Sequence, residues 1–429
     1  MTSWKKLRID DLGKVVTGKT PPTSKPEFYG GETQFLTPTD MDGRRTIYKT
    51  LRYLSDEGVN KVHSSLLAKG SVSVSCIGSD MGKAVVVGSK TITNQQINSI
   101  IVNDEFDNLF VYYNLSGRKE EIQFLASGAA QPIMNKTDFS NLPINVPNIK
   151  NQKAIASVLG ALDDKIENNH RMNETLEEMA RAIFKSWFVD FDPVHAKAAG
   201  NAPAHMDAET ATLFPSKFGD DGLPEGWKIS SLEDFCESVK DGTHASPKSA
   251  EVGEYLITTR HIVNGEVDLS NAYKISKEDY EEVNRRSKVD QWDVLISMIG
   301  TVGEVCLVRD DPKFAIKNLG LFKSRSRLHG EWLYYFLKST SAQNHLRASL
   351  RGTTQLYIPL GELRTFPCAC PPANILNSFG DLACVLSDKI GHNLNENKTL
   401  AKLRDTLLPK LMSGEIRVKD AEREVEAAV

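Results

Sequence analysis

At 429 residues the chain exceeds one ordinary hydrophobic core, so more than one domain is expected. Its 40% hydrophobic and 25% charged residues exclude a disordered chain, and no 18-residue apolar run offers a membrane span. The net charge of −4 argues against uniform coating of nucleic acid, although local patches can still serve it.

The first residues, MTSWKKLRIDDLG, hold no apolar stretch of signal-peptide length, which predicts a cytoplasmic chain. Residues 13–20 fit the phosphate-loop pattern G-x-x-x-x-G-K-[ST]. Pro21 and Pro22 follow at once, bias Thr20 away from helical angles and have no N–H to offer, so no nucleotide site is expected. Short β-branched runs at 71–75, 84–87 and 294–299 read as strands, and 107–116 and 331–339 as helices. The six cysteines have no zinc spacing; Cys368 and Cys370 read as a buried strand edge.

The chain repeats itself at an offset of 222–224 residues. Trp4 returns as Trp227, SGAAQPI (127–133) as RGTTQLY (351–357), and LDDKIENN (162–169) as LSDKIGHN (386–393). Trp4 and Trp227 are expected to anchor the first strand of each copy. Each copy closes with a helical seam in steps of four and three. The first runs Ile155, Leu159, Leu162, Ile166, Asn169, Asn173, Leu176, Ala180, Ile183 and Trp187. The second runs from Phe379 through Asn393 and Asn397 to Leu411. This 3.5-residue period predicts two coiled-coil helices, with the paired asparagines fixing register.

The predicted architecture is α/β: two similar domains joined by two long antiparallel helices, related by a pseudo-two-fold tandem repeat. The segments are a first domain (1–150), a first long helix (151–192), a linker (193–225), a second domain (226–372), a second long helix (373–415) and a charged tail (416–429). The linker is expected to return the chain along a helix without imposing a contact. Asp163, Asp164 and Asp388 are placed on exposed helix faces as salt-bridge partners.

Residues 1–103 hold fourteen Lys/Arg against nine Asp/Glu, and 313–351 eight against one, which fits contact with phosphate at two places. Side chains suited to base edges or phosphates are Lys19, Thr20, Lys25, Tyr29, Arg44, Arg45, Ser79, Gln95, Gln96 and Gln131 in the first copy. In the second they are Lys240, His244, Lys248, Arg260, Lys317, Asn318, Arg325, Arg351 and Gln355.

The motifs GKTPPTSKPEFYGG (18–31), FLTPTDM (35–41), PNIKNQKAIASVLGALDDKIENN (147–169), AIFKSWFVDFDPV (182–194) and LPEGWKISSLEDF (223–235) resemble specificity subunits of type I restriction–modification systems. The second helix departs from the pattern, with Leu376 where the first copy has Gln152. The resemblance implies a non-catalytic chain that reads an asymmetric, bipartite target in double-stranded DNA. It also implies two modification subunits carrying S-adenosylmethionine, and restriction subunits using ATP and Mg, with no cofactor in this chain and no membrane partner. Lys165, Arg171, Glu178, Arg181 and Lys389, on outward helix faces, are the expected docking residues. A two-headed coiled-coil adaptor that binds proteins alone is the alternative.

Overall fold

The computed structural model describes residues 4–78, 80–126 and 133–427. The chain forms two compact units, Met1–His170 with Leu394–Val429, and Arg171–Asn393. Each long helix is therefore divided between units, and each unit combines one recognition domain with half of both helices.

In the first unit a five-stranded sheet runs in the order Gly13–Thr17, Ile97–Val102, Val72–Ser75, Ala84–Val87, Thr46–Ile47. The alternation of Val and Ser makes Val72–Ser75 a strand, and its polar positions can be buried because Ser73 and Ser99 hydroxyls pair at 2.8 Å. A four-stranded sheet places Tyr29–Leu36 between Arg52–Leu54 and Thr91–Thr93, with Leu66–Leu67 outermost. Lys5–Arg8 pairs antiparallel with Pro143–Val146, closing the domain before the helix. The second unit repeats the plan. Its main sheet runs Ser238–Asp241, Leu319–Lys323, Val294–Ser297, Val305–Leu307, and Glu254–Ile257 lies between Tyr273–Ile275 and Phe314–Ile316. Lys228–Ser231 pairs with Pro367–Cys370, so Cys368 is buried on that strand as expected, while Cys370 at its end is only half-buried. Trp227 is buried just ahead of that strand, and Trp4 packs half-buried on the first core.

The long helices span Ile149–Phe188 and Ala373–Ser413. Asn148 starts the first by accepting the Asn151 N–H at 3.0 Å. Gln152 then ties the helix to its domain: its amide donates to the Pro147 carbonyl and accepts the Asp107 N–H at 3.0 Å. Leu376, in the same place on the second helix, is buried in an apolar core and does that work by packing. Within the first unit the two helix segments run antiparallel, since Asn169 bonds Asn397 at 2.9 Å while Asp163 bonds Arg404 at 2.7 Å. In the second unit Asn393 donates to Asn173 at 2.8 Å. The aromatic end of the first helix packs there, Phe184 and Phe188 lying 5.5 and 5.1 Å from Phe379.

Three expectations change. Asp164 and Asp388 are exposed and paired at 2.5 Å with Arg45 and Arg327, but Asp163 is only 6% exposed. It accepts from the Tyr113 hydroxyl at 2.6 Å as well as from Arg404, a cation standing at a seam position. The linker is packed: it forms helices Asp192–Ala198 and Ala208–Leu213 and buries Val194 and Phe214, the latter 5.2 Å from Trp187. The charged tail forms the helix Val418–Glu426, whose Val418, Ala421 and Val425 fall on one face against the first core.

One buried carboxylate gives the second unit a pH dependence. Glu331 lies fully buried in Arg327–Lys338, with its closest cation, Arg327, at 3.7 Å. Burial pushes its pKa up to about 7. Below its ordinary value near 4.3 both folded and unfolded chains hold the proton; between there and 7 only the folded chain does. Stability therefore falls as pH rises through this window. Glu331→Gln is expected to remove the dependence, so that wild type loses about 3 kcal/mol more than the variant between pH 4.5 and 8. Equal losses in urea titrations of both proteins at those two pH values would show that Glu331 ionises normally.

Candidate nucleic-acid interface

In each unit the first strand of the main sheet ends in a polar loop that leans on a second loop, which follows Thr91–Thr93 or Phe314–Ile316. Close approach sets this geometry. A Cβ on Gly18 would lie 2.0 Å from the Asn94 carbonyl oxygen, and one on Gly242 2.4 Å from that of Ile316. The glycine of the phosphate-loop-like string is thus a packing glycine. Gly13–Thr17 is a strand, and Lys19 donates to Ser64 at 3.0 Å.

The loops bring together residues that the sequence could only name separately. In the first unit the Thr20 hydroxyl donates to Gln95 at 2.5 Å, Asn94 donates to Gln96 at 2.8 Å, and Tyr29 donates to the Pro21 carbonyl at 2.9 Å. Lys25 stands 3.8 Å from Glu27 and over the Phe28 ring. In the second unit His244 bridges Asn318 at 2.9 Å and Asp241 at 3.0 Å, and Lys317 donates to Ser246. Asn318 has φ +56, a left-handed conformation that asparagine tolerates and that turns its amide toward His244. The buried Asp241 also holds Arg286, a residue the sequence reading missed. Its only sequence signal is a basic pair closing Lys277–Ser287.

By the repeat offset Thr20 corresponds to His244, while residues 94–96 give way to 317–318, so that Asn318 stands in place of the Gln95–Gln96 pair. The same two loops thus touch in both copies through different side chains.

Other candidates lie elsewhere or have structural work. Arg45 is pinned to the first long helix through Asp164 and the Gly160 carbonyl at 3.3 Å, and it also donates to the Tyr113 hydroxyl of its own domain at 3.4 Å, leaving its side chain 17% exposed. Arg325 donates to the backbone carbonyls of Asp234 and Cys236. Arg44 pairs with Asp42 at 3.3 Å, and Arg351 with Glu362 at 3.0 Å. Arg260 contacts His261 at 3.4 Å. Lys240 is half-exposed on its strand; Lys248 and Gln355 are exposed. Ser79 and Gln131 lie outside the described residues. Of the expected docking residues, Arg171, Glu178, Arg181 and Lys389 are exposed, with Arg181 3.6 Å from Glu177. Lys165 is half-exposed and pairs with Glu396 at 3.4 Å. Among the described residues no cluster of three or more His, Cys, Asp or Glu could hold a metal ion, and no helix is long and apolar enough to cross a membrane.

The sequence profile of the type I restriction modification DNA specificity domain matches residues 1–178 and 224–378, over three-quarters of the chain. The chain is 26% identical to the type I restriction enzyme MjaIX specificity subunit of Methanocaldococcus jannaschii, over 97% of this chain and 94% of that protein. It is 24% identical to the HindI specificity subunit of Haemophilus influenzae, over 97% and 100%. Its fold is similar to that of the crystal structure of a type I restriction–modification S subunit from M. genitalium, with a TM-score of 0.53 and 16% identity over 96% of each chain.

Proposed function

The chain belongs to the type I restriction modification DNA specificity family, and from that premise we propose that it reads an asymmetric, bipartite target in duplex DNA, one half-site per recognition domain. As a specificity subunit it is the recognition member of such a system and not its catalyst. The observation that carries the proposal is the contact repeated in both copies, Thr20 with Gln95 and His244 with Asn318. One scaffold position bearing different hydrogen-bonding groups is what two readers of unlike half-sites require. Lys19, Lys25, Lys240, Lys248 and Lys317 around these loops would hold phosphate. Gln96, Tyr29, Arg44, Arg260 and Gln355 complete the proposed DNA-facing set, and Arg45, Arg325 and Arg351 act mainly by bracing it. Ser79 and Gln131 stay in the proposed set from their place in the sequence.

The outward helix residues Lys165, Arg171, Glu178, Arg181 and Lys389 dock modification subunits, two per chain because the frame offers the same surface twice. S-adenosylmethionine belongs to those subunits, and ATP and Mg to the restriction subunits. The assembly works in the cytoplasm.

The test is salt. A complex of this chain with its modification subunit is expected to lose DNA affinity steeply, by about a thousandfold between 50 and 200 mM salt for six or more phosphate contacts. A protein-binding adaptor would assemble equally well with or without duplex, and its association would not follow this slope.

A further inference from the structure

Residues 351–357 form a turn in which five residues, 352–356, are closed by a two-way bridge, the Arg351 N–H to the Tyr357 carbonyl at 2.9 Å and the reverse at 3.0 Å. Gly352 has φ +92, and a Cβ there would lie 2.4 Å from the Gln355 carbonyl oxygen, so the turn requires glycine. All seven residues are exposed, Leu356 and Tyr357 by 45% and 42%. Beneath them the turn is fastened: Tyr357 bridges Ile299, and buried Ile358 donates to the Met298 carbonyl at 2.9 Å. The first copy has the same fastening, with Ile133 bridging Ile77 and buried Met134 donating to the Cys76 carbonyl at 3.0 Å.

The sequence between these anchors repeats as well, since Gly128 and Gln131 recur as Gly352 and Gln355 at an offset of 224. Core packing accounts for the retention of buried residues, but Gln355 is exposed and packs no core. The contrast with Thr20/His244 and Gln95/Asn318, which differ between copies, is informative. Two domains that read unlike bases can keep in common only those exposed groups that meet something both half-sites share. Both half-sites share the sugar–phosphate backbone. The local chemistry fits it: no Asp or Glu occurs from residue 332 to 361, and the exposed side chain that both copies keep is the amide of Gln355.

We propose that the 351–357 turn grips the DNA backbone through Gln355 without reading sequence. This rests on the DNA-recognition reading above. The experiment uses the chain assembled with its modification subunit, duplexes with and without the motif that the complex methylates, and sequencing of the methylated motif itself. Gln355→Ala is expected to weaken binding to both duplexes by a similar factor, about 3- to 10-fold, with the motif unchanged. The salt slope should stay as in wild type, because the residue carries no charge. A double variant, Thr353→Ala with Thr354→Ala, reproduces the first copy's Gly-Ala-Ala-Gln and is expected to fold and keep the motif.

Altered methylated bases in any of these variants would overturn the proposal in favour of a base reader. Unchanged DNA affinity would also overturn it, and loss of the modification subunit alongside would identify a protein-docking turn. If the wild-type complex bound both duplexes equally and without salt dependence, the recognition reading itself would fail, and the turn's assignment with it.

Discussion

Asp163→Ala is expected to destabilise the first unit by about 3–5 kcal/mol, because it strips the partner from a buried charge. Asp163 accepts from Tyr113 of the recognition domain at 2.6 Å and from Arg404 of the second long helix at 2.7 Å. The one carboxylate therefore joins three elements of that unit. With Asp163 gone, Arg404 keeps its direct salt bridge to the exposed Asp405, at 2.8 Å, but loses the buried carboxylate that faces it across the seam. For a unit of about 200 residues each kcal/mol shifts Tm by about 2–4 °C, so its melting transition should fall by roughly 10 °C in scanning calorimetry. Adding Arg404→Leu to the Asp163→Ala chain should recover part of the loss, since an apolar residue suits a seam position and no charge then remains unpaired. A loss below about 1 kcal/mol would mean that the pair behaves like an exposed salt bridge and does not clamp the domain.

The elements that were legible in the sequence are those whose signal is periodic or duplicated. The heptad steps from Ile155 to Trp187 leave no seam position exposed, and the central asparagines pair as their spacing requires. The repeat offset anticipated two domains of like plan, and four strands of each main sheet share an order, although Thr46–Ile47 adds a fifth to the first sheet. What escaped was set by tertiary partners. Asp163 looks like its exposed neighbour Asp164 until Tyr113 and Arg404 are brought against it. The tail's Val418, Ala421 and Val425 are diluted by charges that happen to share the helix, and Phe214 in the linker is one aromatic among alanines and acids. For the candidate site, the residue types were readable but their convergence was not. Nothing local in the sequence says that Thr20 meets Gln95 across 75 residues, or that Arg45 turns away toward a helix.

Exchange of residues 1–147 for the first domain of another family member should change one half of the methylated motif completely and leave the other half intact. The cut belongs after Pro147. Pro143–Val146 pairs with Lys5–Arg8 and must travel with it, while Asn148 caps the helix and must stay. The graft also removes Arg45 and Tyr113, which hold Asp164 and Asp163 of the retained helix. Donors with arginine and tyrosine in those places should give stable, active chimeras; donors without them should lose stability as Asp163→Ala does, giving weak methylation of the hybrid motif. A smaller change should isolate the reader within the domain. Thr20→Ala or Gln95→Ala is expected to relax one base pair of the first half-site by about 1–3 kcal/mol of discrimination, roughly 5- to 150-fold, with the second half-site untouched. Sequencing of methylated DNA from cells carrying each chimera or variant reads both outcomes directly. If the graft altered both half-sites, or if Thr20→Ala and Gln95→Ala lowered methylation evenly across all sites, the two domains would not read their half-sites independently through these loops.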